Sequence, residues 1–168
     1  GKFLLQIGHA KRPKADSNDP DNVNQASGIK EYAKTNEVFV SDGAKCDIGR
    51  LQTLFGSGVR VAVQDPAYPV YVDGSVIVGA AGAPVEGSGY AGIAYLPCKP
   101  ENDFFPDLAK APEVDLLYFC SPNNPTGASA TKAQLEALVA FARSRGLIIV
   151  YDAAYPEYIS DPKLPRSI

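Results

Sequence analysis

A chain of 168 residues with a net charge of −3 suits one domain or part of a larger one, and it carries no basic stripe for nucleic acid. No apolar run approaches membrane-spanning length. Cys46, Cys98 and Cys120 form no C-x-x-C pair, which argues against a zinc site or a disulfide framework and favours a reducing compartment.

The chain starts on Gly and contains no Met, so a missing end is expected. Residues 3–7 predict a short strand. Residues 11–36 are polar and mixed in charge, which predicts a loop or a poorly ordered segment. His9 is the single histidine and is assigned no role.

From Glu37 the pattern changes. Val38, Phe39 and Val40 make a short apolar run. A small-residue turn, 41–45, leads into a helical stripe of Ile48, Leu51, Leu54 and Phe55. Such a turn can bind an anion, because free N–H groups and the helix dipole converge there. Lys45 would add charge. Residues 59–63 predict a strand, after which Pro69 opens a helix continued by Tyr71, Val72, Val76 and Ile77. Tyr68 then falls at the ligand edge of a sheet. Residues 79–92 are rich in Gly and Ala and turn back. Residues 93–96 predict a further strand, and 97–112 a loop.

Residues 116–152 read as one βαβ unit. Leu116, Leu117, Tyr118, Phe119 and Cys120 form a buried strand. Thr131 and Gln134 have capping-box spacing at the head of a helix over 131–145. Its stripe is Leu135, Leu138, Val139 and Ala142, and Gly146 is its stop. A second strand over 147–151 closes on Asp152. The two strands are expected to be parallel neighbours. Ligands of open α/β sheets bind beyond the carboxyl ends of such strands, where Asn124 and Asp152 both fall.

A phosphate-type turn, a tyrosine, an asparagine and an aspartate thus end four strands. A planar, phosphorylated cofactor containing a ring nitrogen would use all four. The turn would hold phosphate, Tyr68 would stack on the ring, and Asn124 would hydrogen-bond a ring oxygen. Asp152 would pair with the ring nitrogen and keep it protonated.

Ser121-Pro122-Asn123-Asn124-Pro125-Thr126-Gly127, followed by residues 150–155 (VYDAAY), resembles the pyridoxal-phosphate aminotransferases of fold type I. Residues 38–52, 63–73 and 119–128 are similar to the LL-diaminopimelate aminotransferase family in particular. The resemblance covers about 37–168. It implies an α/β fold: a three-layer α/β/α large domain with a mostly parallel sheet, here incomplete. Residues 37–168 would be part of that cofactor-binding domain, and 1–36 a divergent or poorly ordered segment.

The implied cofactor is pyridoxal 5′-phosphate. The implied cofactor-binding residues are Ala44 and Lys45 at the phosphate turn, Tyr68 on the ring, Asn124, Asp152 at the ring nitrogen, and Tyr155 near the ring hydroxyl. Lys45, Tyr68 and Asn124 also match substrate positions. No catalytic lysine of the family's Ser-x-Ser-Lys type is present, and Lys163 sits in a proline-flanked tail that does not match it. No metal ligand is expected.

The implied reaction moves an amino group between LL-diaminopimelate or tetrahydrodipicolinate and glutamate or 2-oxoglutarate, for lysine synthesis. The partners would be small amino and 2-oxo acids and a second copy in a homodimer, with no membrane and no nucleic acid. A bacterial source would place it in the cytoplasm, and a plant or algal source in the plastid stroma. Another class I aminotransferase, or a non-catalytic remnant that binds a phosphate ligand or a partner chain, remain as alternatives.

Overall fold

The computed structural model describes residues 4–8 and 41–168. The elements are β1 (Leu4–Gly8), α1 (Ala44–Phe55), β2 (Val61–Asp65), α2 (Val70–Ile77), β3 (Pro84–Val85), β4 (Gly89–Tyr90), β5 (Ile93–Pro97), β6 (Leu116–Cys120), α3 (Lys132–Arg145) and β7 (Ile148–Ala153). Five strands form one sheet in the order β1-β7-β6-β2-β5, and every adjacent pair is parallel. β3 and β4 form a separate antiparallel hairpin within the stretch expected to turn back. The expected strand at 38–40 lies outside the described residues, as do His9 and the segment 11–36.

The strands explain the layering. A parallel sheet is covered on both faces, so its central strands are apolar at every position rather than at alternate ones. All five residues of β6 are buried. Leu117 and Phe119 face a core shared with Leu135, Leu138 and Ala142 of α3, and with Ile149, Tyr151 and Ala153 of β7. Leu116, Tyr118 and Cys120 face the opposite core, with Ile48 of α1, Tyr71 of α2, and Val61, Val63 and Val150. The result is a three-layer α/β/α arrangement.

α3 follows its sequence signals closely. The Thr131 side chain accepts from the Gln134 N–H at 3.3 Å, and Gln134 Oε1 accepts from the Thr131 N–H at 2.8 Å. Gly146 ends the helix in the left-handed conformation (φ 69°). Thr131→Ala is therefore expected to cost about 1 kcal/mol in urea unfolding, since it strips one side of the reciprocal cap.

Three expectations shift. Leu54 is 77 % exposed, and the polar residue Gln52, 2 % exposed, takes an inward position on α1. Residues 48 and 52 are one helical repeat apart, so Gln52 lies beneath Ile48, whereas Leu54 is turned away. β2 runs from Val61 to Asp65 instead of 59–63, because Val61, Ala62 and Val63 pair with both β5 and β6. Pro69 caps α2 rather than opening it, and Val76 and Ile77 at its far end are exposed.

At the amino edge of the sheet, Arg60 grips Asp115 with two nitrogens, Nε at 3.0 Å from Oδ2 and Nη2 at 2.9 Å from Oδ1. Its backbone N–H adds a third bond at 2.8 Å. These side-chain and backbone hydrogen bonds pull the Asp115 carboxyl from 3.8 down to about 2. A depressed folded-state pKa contributes stability that is present above the ordinary carboxylate range and is lost as pH falls through about 2. Both side chains are substantially exposed, so the contribution is modest. Asp115→Asn should make the urea midpoint less sensitive to pH between about 5 and 2. An unchanged acid limb would dismiss this pair as a contributor.

Candidate active site

The crossovers open a crevice. After β2 the chain enters α2, which packs on one face of the sheet, and after β6 it enters α3, which packs on the other. Because β2 and β6 are neighbours, the loops leaving their carboxyl ends diverge. Open α/β sheets bind ligands at such a switch point. Tyr68 is on one loop and Asn124 is on the other.

The loop after β6 is built to present Asn124. Asn123 is buried, and its Nδ2 donates to the Pro66 carbonyl and to Thr126 Oγ1, both at 3.1 Å. Its backbone N–H and C=O bond Ala128 and Gly127. Gly127 takes φ 72°, which a residue with a side chain adopts at a cost. Ser121 Oγ accepts from the Ala130 N–H at 3.0 Å. Asn124 is left half-buried at the crevice, and its Nδ2 donates to the Tyr155 hydroxyl at 3.4 Å.

β7 delivers Asp152 beside it. Asp152 is opposite Cys120 in the β6–β7 register and is 3 % exposed. A carboxylate so deep needs hydrogen-bond donors. Oδ1 accepts from the Ala154 N–H at 3.0 Å, and Oδ2 accepts from the Tyr71 hydroxyl at 2.7 Å. Burial, together with Cys120 and Asp152, pushes the Tyr71 phenol far above its ordinary range, so Tyr71 remains a proton donor. Burial and the neighbouring Asp152 charge also push the Cys120 thiol up to about 11, so it stays a neutral thiol.

The remaining expected residues are placed as follows. Tyr68 meets the Tyr71 ring edge-on at 5.9 Å between centroids, so it borders the residue that holds Asp152. Ala44 packs with Tyr68 against the core patch that contains Tyr71 and Cys120. Lys45, the second residue of α1, is exposed. Tyr155 is 38 % exposed and joins the group through Asn124. Lys163 sits in an exposed turn where its N–H donates to Asp161 Oδ1.

Sequence reasoning missed Tyr71, which reads there as one more apolar position of α2. It also missed Gln52 and Ser75, although a glutamine one repeat after Ile48 was a signal of a buried polar contact.

The comparisons with known proteins bear on this same stretch. The family model for aminotransferase class I and II matches residues 23–167. The chain belongs to the class I and II aminotransferases. A probable LL-diaminopimelate aminotransferase, chloroplastic, of Oryza sativa subsp. japonica is 60 % identical over 133 residues, covering 79 % of this chain and 28 % of that protein. The LL-diaminopimelate aminotransferase of the bacterium Protochlamydia amoebophila is 57 % identical over 133 residues, covering 79 % of this chain and 32 % of that protein. Among solved structures, the L,L-diaminopimelate aminotransferase from Chlamydomonas reinhardtii matches with a TM-score of 0.78 at 57 % identity, over 84 % of this chain and 35 % of that one. This aminotransferase chain thus spans about a third of the length of the relatives it matches.

Aminotransferases of this family use pyridoxal phosphate. The donor set at the crevice fits that group. It offers a buried carboxylate for a pyridine nitrogen, an amide and a phenol for a ring oxygen, and a tyrosine for a flat face. The N-terminus of α1 is capped by Gly43 with no side-chain hydrogen bond, which leaves N–H groups of the kind that bind a phosphate, with Asp47 in the same first turn.

Proposed function

We propose that the protein is an LL-diaminopimelate aminotransferase, and that residues 37–168 belong to its large, cofactor-binding domain, with 1–36 a divergent N-terminal segment. The observation that carries the cofactor reading is Asp152. It is a carboxylate 3 % exposed at the carboxyl edge of a parallel sheet, held by a phenol that stays protonated. The resemblance to relatives at 57–60 % identity supports the substrate reading, the exchange of an amino group between LL-diaminopimelate or tetrahydrodipicolinate and glutamate or 2-oxoglutarate.

When bound, pyridoxal phosphate supplies an electron sink that stabilises negative charge at the α-carbon of an amino acid. The chain's residues set the conditions for this. Asp152 holds a proton at the pyridine nitrogen. Tyr68 covers one ring face and excludes water from it. Asn124 and Tyr155 orient the ring through its oxygen. Ala44, Lys45 and the first turn of α1 hold the phosphate. Lys45, Tyr68 and Asn124 also meet the substrate. Lys45, Lys99, Lys110, Lys132 and Lys163 are all exposed, and none of them is given the role of the amine that moves the α-proton.

A homodimer follows from the same reading. Plastid stroma or bacterial cytoplasm is consistent with the chloroplastic and bacterial names of the relatives.

The test uses the purified full-length protein. Absorbance should report saturable binding of pyridoxal phosphate, weakened by Tyr68→Ala and Asn124→Ala. Glutamate should form from LL-diaminopimelate and 2-oxoglutarate. Turnover of aspartate or aromatic amino acids, with none of LL-diaminopimelate, would select another class I aminotransferase instead. Failure to bind the cofactor at all would defeat the reading.

A further inference from the structure

Behind the crevice runs a buried polar chain with no direct part in the proposed reaction. Gln52 of α1, Tyr71 of α2 and Ser75 of α2 are 2 %, 0 % and 0 % exposed. Gln52 Nε2 donates to the Tyr71 carbonyl at 2.9 Å and to Ser75 Oγ at 3.2 Å. Ser75 Oγ donates to the same carbonyl at 2.7 Å. Tyr71 in turn donates its hydroxyl to Asp152. Its ring lies flat on Tyr118, 4.9 Å between centroids and 10° between planes, with the Tyr68 ring against its edge.

Stability alone is a poor account of this arrangement. The Gln52 amide also lies beside the buried Tyr118 hydroxyl, in a contact that leaves both Gln52 Oε1 and that hydroxyl without a well-formed hydrogen bond. Each such group costs free energy that an apolar side chain of the same shape would not. The packing is also tight at one point. A Cβ on Gly74 would lie 1.9 Å from Gln52 Oε1, so a larger residue there would push the Gln52 side chain out of its present position. What the chain achieves is orientation. The two bonds from Gln52 Nε2, to the Tyr71 carbonyl and to Ser75 Oγ, tie α1 to α2 and so set the rotation of α2 and the direction of the Tyr71 hydroxyl. The Ser75–Tyr71 bond lies within α2 and holds the Ser75 hydroxyl as the acceptor. Gln52 is eight residues past Ala44 on the same helix, so it also links the turn at 41–45 to Asp152.

We infer that Gln52 and Ser75 are positioning residues, which set the Asp152 carboxylate through Tyr71 and hold it at a fixed separation from the α1 N-terminus. This rests on the cofactor reading above. Where a cofactor must be gripped at its phosphate and at its ring nitrogen together, that separation decides how well both ends fit.

The experiment compares full-length wild type with Tyr71→Phe, Gln52→Leu, Ser75→Ala, the pair Gln52→Leu/Tyr71→Phe, and Asp152→Asn. The readouts are the Kd for pyridoxal phosphate and the pH titration of the bound cofactor's absorbance. Tyr71→Phe and Gln52→Leu should each weaken binding by roughly tenfold, the scale of outer-shell losses, and displace the spectral titration. The pair should be no worse than the stronger single variant, because both act through one bond. Ser75→Ala changes volume little and should show a smaller loss of the same kind, which keeps the inference testable if Gln52→Leu fails to fold. Wild-type Kd and spectra in Ser75→Ala and Gln52→Leu, with only the thermal midpoint lowered, would overturn it. So would losses that multiply in the pair. If Asp152→Asn itself leaves Kd and spectrum unchanged, the cofactor reading fails. If Asp152→Asn shifts them and the Gln52 and Ser75 variants do not, this inference alone fails.

Discussion

Asp152→Asn in the full-length protein is expected to lower transaminase turnover by on the order of 10²–10³, the scale seen when one preorganised electrostatic partner is removed. The substitution is nearly isosteric. The amide oxygen can still accept from Tyr71 or from the Ala154 N–H, both of which hold the carboxylate. What is lost is the negative charge, and with it the ability to hold a proton on a pyridine nitrogen. Pyridoxal phosphate should still bind, because the phosphate turn, Tyr68 and Asn124 are untouched. The measurement is kcat and KM for LL-diaminopimelate, beside the absorbance of the bound cofactor. Near-normal kcat with cofactor bound would remove Asp152 from its assigned role.

The second large effect is on stability. Leu138→Ala is expected to cost about 2–5 kcal/mol in urea unfolding, because it opens a cavity between α3 and the sheet that close-packed neighbours cannot refill. Leu138 is fully buried with Phe119, Ile149 and Tyr151 in one core. Leu54→Ala is the control. Leu54 is 77 % exposed, so its loss should stay within roughly 0.5 kcal/mol. The sequence pattern alone ranks the two leucines equally, since both sit on a helical stripe. A comparable cost for Leu54→Ala would mean that its face is covered after all.

That pair shows where the sequence was legible. α3 carries three agreeing local signals, a reciprocal cap, an apolar stripe and a glycine stop, and the structure follows all three. The βαβ unit was equally clear, because β6 and β7 are apolar runs that a covered parallel sheet requires. Asn124 and Asp152 were found because strand ends are where such sheets bind ligands. α1 was harder to read. Its inward face includes a glutamine, and a periodicity argument passes over a buried polar residue whose partners are a carbonyl and a serine on another helix. Tyr71 was missed for a related reason. Its ring is core, stacked on Tyr118, while its hydroxyl reaches a residue 81 positions later. Spacing along a chain cannot report a contact made by the fold. The two-residue displacement of β2 has the same origin, since pairing with β5 and β6 fixes its extent.

The most direct test of the account is the ¹⁵N chemical shift of ring-labelled pyridoxal phosphate bound to the full-length protein. The pyridine nitrogen should be protonated in the wild type near neutral pH, and that protonation should be lost or markedly weakened in Asp152→Asn. A nitrogen that is unprotonated in the wild type, or equally protonated in both proteins, would contradict the placement of the cofactor ring against Asp152.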